Sequence, residues 1–97
     1  FMKTRSEIED KLRELKPLLF KRFNVDRIGY FGSYTRDEQT RDSDIDILVS
    51  FRKPIGWEFF DLHDFLEHEL NMKVDLVSEK ALREQLRQII LSSVNYI

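Results

Sequence analysis

Cysteine is absent from this chain of 97 residues. That removes disulfides, thiolate metal sites and cysteine nucleophiles together. Proline occurs twice and glycine three times, and no repeat, low-complexity tract or internal linker divides the chain. No apolar run approaches the roughly 20 residues that a membrane-spanning helix needs, so no membrane partner is expected. Charge of one sign is not in excess: 16 Lys and Arg against 18 Asp and Glu leave a formal net charge of −2. A broad basic footprint is therefore missing, and direct nucleic-acid binding is not expected. No secretory leader is read at the start, where Phe1-Met2-Lys3-Thr4-Arg5-Ser6 runs into a charged segment. A cytoplasmic location is expected, and Phe1, standing before Met2, is read as extraneous to the fold.

What is present suits one ordinary domain, expected to span residues 1–97. A chain of this length buries about two-thirds of its unfolded surface, and 41% hydrophobic with 35% charged residues is a globular balance. Ser6 and Glu9 stand at capping-box spacing around Ile8, with Leu12 and Leu15 following at helical intervals, which predicts a first helix. Pro17 is expected to end or kink it, with a further turn over Leu18 to Phe23. Val25 to Phe31 and Asp44 to Phe51 read as strands, joined by a polar segment that begins as a short helix and ends as a loop. Pro54 and Gly56 break the chain before a helix from Trp57 to Leu70, with Phe59, Leu62, Phe65, Leu66 and Leu70 as its apolar stripe. Lys73 to Val77 is a third strand. Ser78 is expected to cap a last helix with Leu82, Leu86, Ile89 and Ile90 facing inward. Val94 to Ile97 is an edge strand or a partner contact. This order predicts an α/β domain, a small mixed β-sheet packed with helices.

The informative residues gather around the strands. Gly32-Ser33 follows the apolar run Ile28 to Phe31. Eleven residues after the serine, Asp44-Ile45-Asp46 opens a second run to Val49, and Val74-Asp75-Leu76 supplies a third acid. Residues two apart in a strand point to one face, so Asp44 and Asp46 can aim side by side. Two carboxylates held together in half-apolar surroundings repel each other and lose hydration, unless one is protonated or a cation lies between them. Hard oxygen ligands suit Mg²⁺ or Mn²⁺, and Mg²⁺ commonly brings substrate phosphates with it. Gly32 would let backbone approach a phosphate, while the Ser33 hydroxyl and helix-start N–H groups donate to it. The pattern points to metal-assisted phosphate chemistry.

Plainer readings compete at each position. A solvated turn entering a strand accounts for Asp44 and Asp46 alone, less well for their coincidence with Gly32-Ser33 and Asp75. Asp42 to Asp46 also resembles the first half of a calcium loop. The glycine and glutamate that such a loop needs are replaced by Ile47 and Lys53. Neither a P-loop nor a dinucleotide fingerprint is present. Gly29-Tyr30-Phe31-Gly32 has the KH spacing, but its aromatic interior reads as a buried strand. His63 and His68 are five apart, so they share no metalloprotease face and read as surface residues. Tyr30 and Tyr34 read as core. Arg36 and Arg41 lie where a triphosphate would be faced, a role arginine suits; a solvated loop charge is the competing reading. Arg83 and Arg87 read as an ordinary charged face.

Phe31-Gly32-Ser33-Tyr34-Thr35-Arg36, followed by Ser43-Asp44-Ile45-Asp46-Ile47-Leu48-Val49, resembles the signature of the DNA polymerase beta nucleotidyltransferase superfamily. Within it the likeness is to the minimal nucleotidyltransferases, the antitoxin half of HEPN/MNT pairs. It extends through Lys53 to Leu62 and Lys73 to Val77 and covers nearly the whole chain. The family often has glycine after the loop arginine; here Asp37 stands there, which bears on the loop's phosphate contacts. The resemblance implies a polymerase-beta-like core and an enzyme that transfers AMP from ATP to a hydroxyl. Asp44, Asp46 and Asp75 would be catalytic and would hold Mg²⁺, two ions, with Mn²⁺ able to substitute. Gly32, Ser33 and Arg36 would bind the nucleotide. The implied acceptor is a tyrosine of a cognate HEPN toxin. A binding-only antitoxin and a small-molecule nucleotidyltransferase stay open as alternatives, as do a homodimer and a hetero-oligomer.

Overall fold

A computed structural model of the chain describes residues 3–36, 38–40 and 44–97. The readings made for Phe1, Asp37, Arg41, Asp42 and Ser43 lie outside the described residues. The first helix, α1, spans Arg5–Phe23. Thr4, not Ser6, is its N-cap: the Thr4 hydroxyl accepts from the Glu7 N–H and the Glu7 carboxylate accepts from the Thr4 N–H. The same box spacing thus occurs two residues earlier than expected. Pro17 lies inside α1 and does not end it. Proline removes its own N–H bond to the preceding turn and crowds the carbonyl there, and here it is exposed. On the other side, Ile8, Leu12, Leu15, Leu19 and Phe23 form a continuous buried stripe, which outweighs one missing bond. Asn24 closes the helix in the left-handed region at φ 59°, its N–H returned to the Leu19 carbonyl.

Strands β1, Val25–Phe31, and β2, Ile45–Phe51, pair antiparallel. Helix α2, Glu58–Leu70, then leads to β3, Val74–Ser78, which lies parallel to β2. A 3₁₀ turn, Glu79–Ala81, precedes helix α3, Glu84–Ser93, and a two-residue strand β4, Asn95–Tyr96, pairs antiparallel with β1. The sheet order is β3-β2-β1-β4, a mixed four-stranded sheet with three helices, as the α/β reading anticipated. No helix among the described residues is long and apolar enough to cross a membrane.

The core lies between the sheet and helices α1 and α2. Ile28, Tyr30, Ile45, Ile47 and Val49 meet Ile8, Leu12, Leu19, Leu62, Leu66 and Leu70 in one buried cluster. Tyr30 is fully buried, and its hydroxyl donates to Glu9 while Asn95 and Arg5 donate to it. Tyr34 is buried as well, so both tyrosines are core residues. Strand alternation leaves Arg27, Gly29 and Phe31 of β1, with Asp46, Leu48 and Ser50 of β2, on the sheet's other face.

Helix α3 departs from its expected packing. Ser78 precedes only the 3₁₀ turn, and Leu82 and Arg83 are extended before the helix starts. Leu86 and Ile89, expected to face inward, are exposed. The interruption resets the helical phase, and Arg87 is drawn to the sheet side by donating to the Glu79 carbonyl at 3.0 Å.

Candidate active site

Register brings the acids together. Asp46 stands opposite Phe31 on β1 and opposite Asp75 on β3. The Ile45 N–H donates to the Lys73 carbonyl at 3.1 Å, which ties the starts of β2 and β3. Gly32 follows Phe31 directly, so the turn after β1 and the entries of β2 and β3 share one end of the sheet. Asp44 is exposed just ahead of β2, while Asp46 is half-buried.

Gly32 is required at its position on two counts. Its φ is +76°, where L side chains are strained. A Cβ there would also sit 2.2 Å from Asp46 Oδ2, closer than any atoms can approach without displacement. The absent side chain is thus the space into which the Asp46 carboxyl projects. Beyond it the chain makes a tight turn: the Arg36 N–H donates to the Gly32 carbonyl at 3.2 Å and the Glu38 N–H to the Ser33 carbonyl at 2.8 Å. Thr35 donates to the Tyr30 carbonyl at 3.2 Å and anchors the turn to β1. Arg36 is exposed and paired with Glu38, yet its charge reaches Asp46 and favours the ionised acid. The structure therefore gathers Gly32, Ser33, Arg36, Asp44, Asp46 and Asp75 at one end of the sheet.

The electrostatics of Asp46 are the site's clearest feature. Burial raises its carboxyl, and the neighbouring Asp75, through its charge and a hydrogen bond, raises it further; Asp44 adds to this. The result is about 6 against an ordinary 3.8, with Arg36 opposing. An acid that retains its proton through burial and through acidic neighbours is suited to a cation in the proton's place. The all-oxygen donor set fits a hard divalent ion. As placed, the trio is open, with Asp46 and Asp75 adjoining and Asp44 at the solvent side.

A different trio is tighter. Among the described residues, donor atoms of His63, Asp64 and Glu67 lie within 4.8 Å of one another. Their hydrogen bonds explain the grouping without an ion. His63 Nε2 lies 2.9 Å from the Val74 carbonyl, Glu67 accepts from the Val74 N–H at 2.9 Å, and His63 Nδ1 faces Asp64 at 3.2 Å. A carbonyl can only accept, so Nε2 carries a proton and is not a free ligand. Burial lowers the imidazole's proton affinity, but Asp64, the Val74 carbonyl and Glu67 together raise it above the ordinary value. These side chains hold the residue beside Asp75. Sequence reading missed them, taking His63 for a surface residue. The available signal was the i, i+4 spacing of His63 and Glu67 on one helix.

The nucleotidyltransferase domain family matches residues 5–97. The protein adenylyltransferase MntA of Thermococcus cleftensis is 42% identical over 97 residues, covering 99% of this chain and 98% of the relative. A Methanocaldococcus jannaschii protein, provisionally named a protein adenylyltransferase, is 51% identical over 83 residues, 84% of this chain and 85% of its own. Among solved structures, a toxin–antitoxin with AMP-PNP is similar at TM-score 0.75 and 28% identity, over 91% of this chain and 70% of that one. A structure provisionally described as a minimal nucleotidyltransferase is similar at TM-score 0.74 and 33% identity, over 94% and 89% of the two chains.

Proposed function

With the chain belonging to the nucleotidyltransferase domain family and its relatives named as protein adenylyltransferases, we propose that it transfers AMP from ATP to a tyrosine hydroxyl of a cognate HEPN toxin, acting as the antitoxin of that pair. One observation carries the chemistry: the Asp46 carboxyl, raised to about 6, shares the sheet's end with Asp75, Asp44 and the side-chain-free Gly32. The toxin–antitoxin structure with AMP-PNP supports both the nucleotide and the kind of partner.

Asp44, Asp46 and Asp75 would hold two Mg²⁺ ions, with Mn²⁺ as a substitute. When bound, the ions offset charge on the attacking and leaving oxygens. The Gly32 backbone and the Ser33 hydroxyl receive the β- and γ-phosphates, and Arg36 adds its guanidinium from the same turn. The acceptor O–H loses its proton to the carboxylate of Asp75, and its oxygen forms a bond to the α-phosphorus. The bond from that phosphorus to the bridging oxygen breaks, and pyrophosphate leaves with the electron pair. Residues 1–97 act as one nucleotidyltransferase domain.

The test is incubation with ATP, Mg²⁺ and a co-encoded HEPN protein, followed by mass spectrometry. AMP units are expected on a partner tyrosine and are lost when Asp44→Asn and Asp46→Asn are combined. A double variant that neutralises the partner equally well with no mass added would replace this reading by binding-only inhibition. Transfer to small molecules but never to protein would favour the small-molecule enzyme.

A further inference from the structure

At the far end of β2 and β3 from the acids, the structure holds a concavity. It measures about 520 Å³ and is lined by Phe51, Ile55, Phe59 and Leu76, with Lys53 and Lys80 among its walls. A cavity of this size is ample for a buried side chain or more. An aromatic ladder leads out of it: Phe51 to Phe59 at 6.4 Å between ring centres, Phe59 to Phe60 at 5.7 Å, and Phe60 to Trp57 at 5.7 Å. Its outer rungs are left in solvent, with Trp57 82% and Phe60 58% exposed. They are not surplus core. Helix α2 already buries Leu62, Leu66 and Leu70 completely, and the aromatic face is additional to that stripe.

We propose that this ridge and cavity dock the acceptor protein, receiving an apolar side chain that is flanked by a carboxylate; the inference rests on the protein-acceptor reading above. Exposed tryptophan and phenylalanine beside a pocket are the usual anchors of a protein interface. The charge at the rim chooses the partner. Lys80 is exposed and makes no ion pair among the described residues. Lys53 acts on Glu58, whose carboxylate accepts from the Gly56 N–H at 2.8 Å. An acidic partner gives Lys80 the counter-charge that the described residues do not supply. Ser50 lines the cavity and lies four residues along β2 from Asp46, roughly 13 Å at ~3.3 Å per residue. A partner covering about 800 Å² of each surface spans that distance, so one protein can anchor here and present its hydroxyl at the acids.

The experiment uses the full chain and its co-encoded HEPN protein, with Trp57→Ala/Phe60→Ala and Lys80→Glu as variants. Calorimetry is expected to show about tenfold or greater weakening of binding for the double variant and a smaller loss for Lys80→Glu. In transfer assays KM for the partner rises while kcat at saturation and the thermal response to MgATP stay unchanged. Phe60→Ala alone repeats the test if the double variant melts early. Binding and KM equal to wild type in folded variants overturn the docking surface and leave the enzymatic reading standing. Patch-dependent binding with no AMP transferred by the wild type does the reverse. A dimer seen by sedimentation that the double variant splits, with partner affinity unchanged, assigns the ridge to a second copy and overturns the proposal.

Discussion

Two acids near the ends of the β2–β3 ladder are held in opposite ways. Glu79, just past the end of β3, is only 6% exposed and receives Arg27 Nη2 on both carboxylate oxygens, at 2.9 and 3.0 Å. The Arg27 guanidinium in turn lies 5.1 Å from the Tyr96 ring centre, so the pair fastens the 3₁₀ turn to β1 and β4. Asp46, at the start of β2, has acids as its near neighbours and keeps its proton to about 6. A buried acid given an arginine is a structural tie. A half-buried acid given two more acids leaves an excess of negative charge that a bound cation can offset. The same sheet thus carries a finished electrostatic contact at one end and an unfinished one at the other.

Four changes sharpen or break that contrast. The largest effect is expected from Asp75→Asn, which removes the acid that adjoins Asp46 and faces the acceptor in the proposed reaction. Loss of one such group costs on the order of 3–4 kcal/mol of barrier, about a hundred- to a thousandfold in rate. Nucleotide binding should persist, as single-turnover transfer and ATP titration would show; near-normal turnover would make Asp75 a structural acid. Glu79→Gln should instead leave the MgATP response intact and reduce stability by about 1 kcal/mol, since Arg27 is itself half in solvent and the pair is partly screened. Urea unfolding measures it.

Asp46→Asn should act in the other direction on stability. The folded carboxyl titrates near 6 against 3.8, so the folded state binds its proton more tightly. That contribution is complete below about 3.8 and disappears as pH rises through 6. In EDTA the wild type should therefore lose stability across this window while the asparagine variant does not, and added Mg²⁺ should restore the wild type alone. A parallel pH response of the two proteins would remove the strained-acid account. The smallest effect belongs to His63→Gln. Because the His63 imidazole is raised above 6.5, its stabilisation is present below that value and fades as pH climbs through the folded one. The difference from wild type should be larger at pH 5.5 than at pH 8; a gap independent of pH would show that the neutral ring suffices.

Much of this site can be read in the chain because its parts are local. A glycine before a serine, two acids alternating at a strand start and a third acid in an apolar triplet each declare themselves within a few residues. The strands follow from short apolar runs, buried over Ile28 to Tyr30 and Ile47 to Val49, and α2 from Leu62, Leu66 and Leu70 at helical spacing. Other features depend on distant partners. Pro17 stays helical because the stripe opposite it is packed against the sheet. Leu86 and Ile89 face solvent because Glu79, eight residues before Arg87, holds that arginine to the sheet side. His63 and Glu67 matter only because β3 starts beside them.

Sequence alone determined which residue types stand at each strand end, and with them the hard-oxygen donor set on which the proposed chemistry rests; strand periodicity alone left the facing of Asp44 open, since β2 begins only at Ile45. Tertiary structure decided that Asp75, twenty-nine residues beyond Asp46, is its direct cross-strand neighbour. It also decided that the Asp46 carboxyl fills the space a side chain at Gly32 would need. Proton affinity and steric exclusion are properties of what surrounds a group, and those surroundings exist only once β1, β2 and β3 lie side by side.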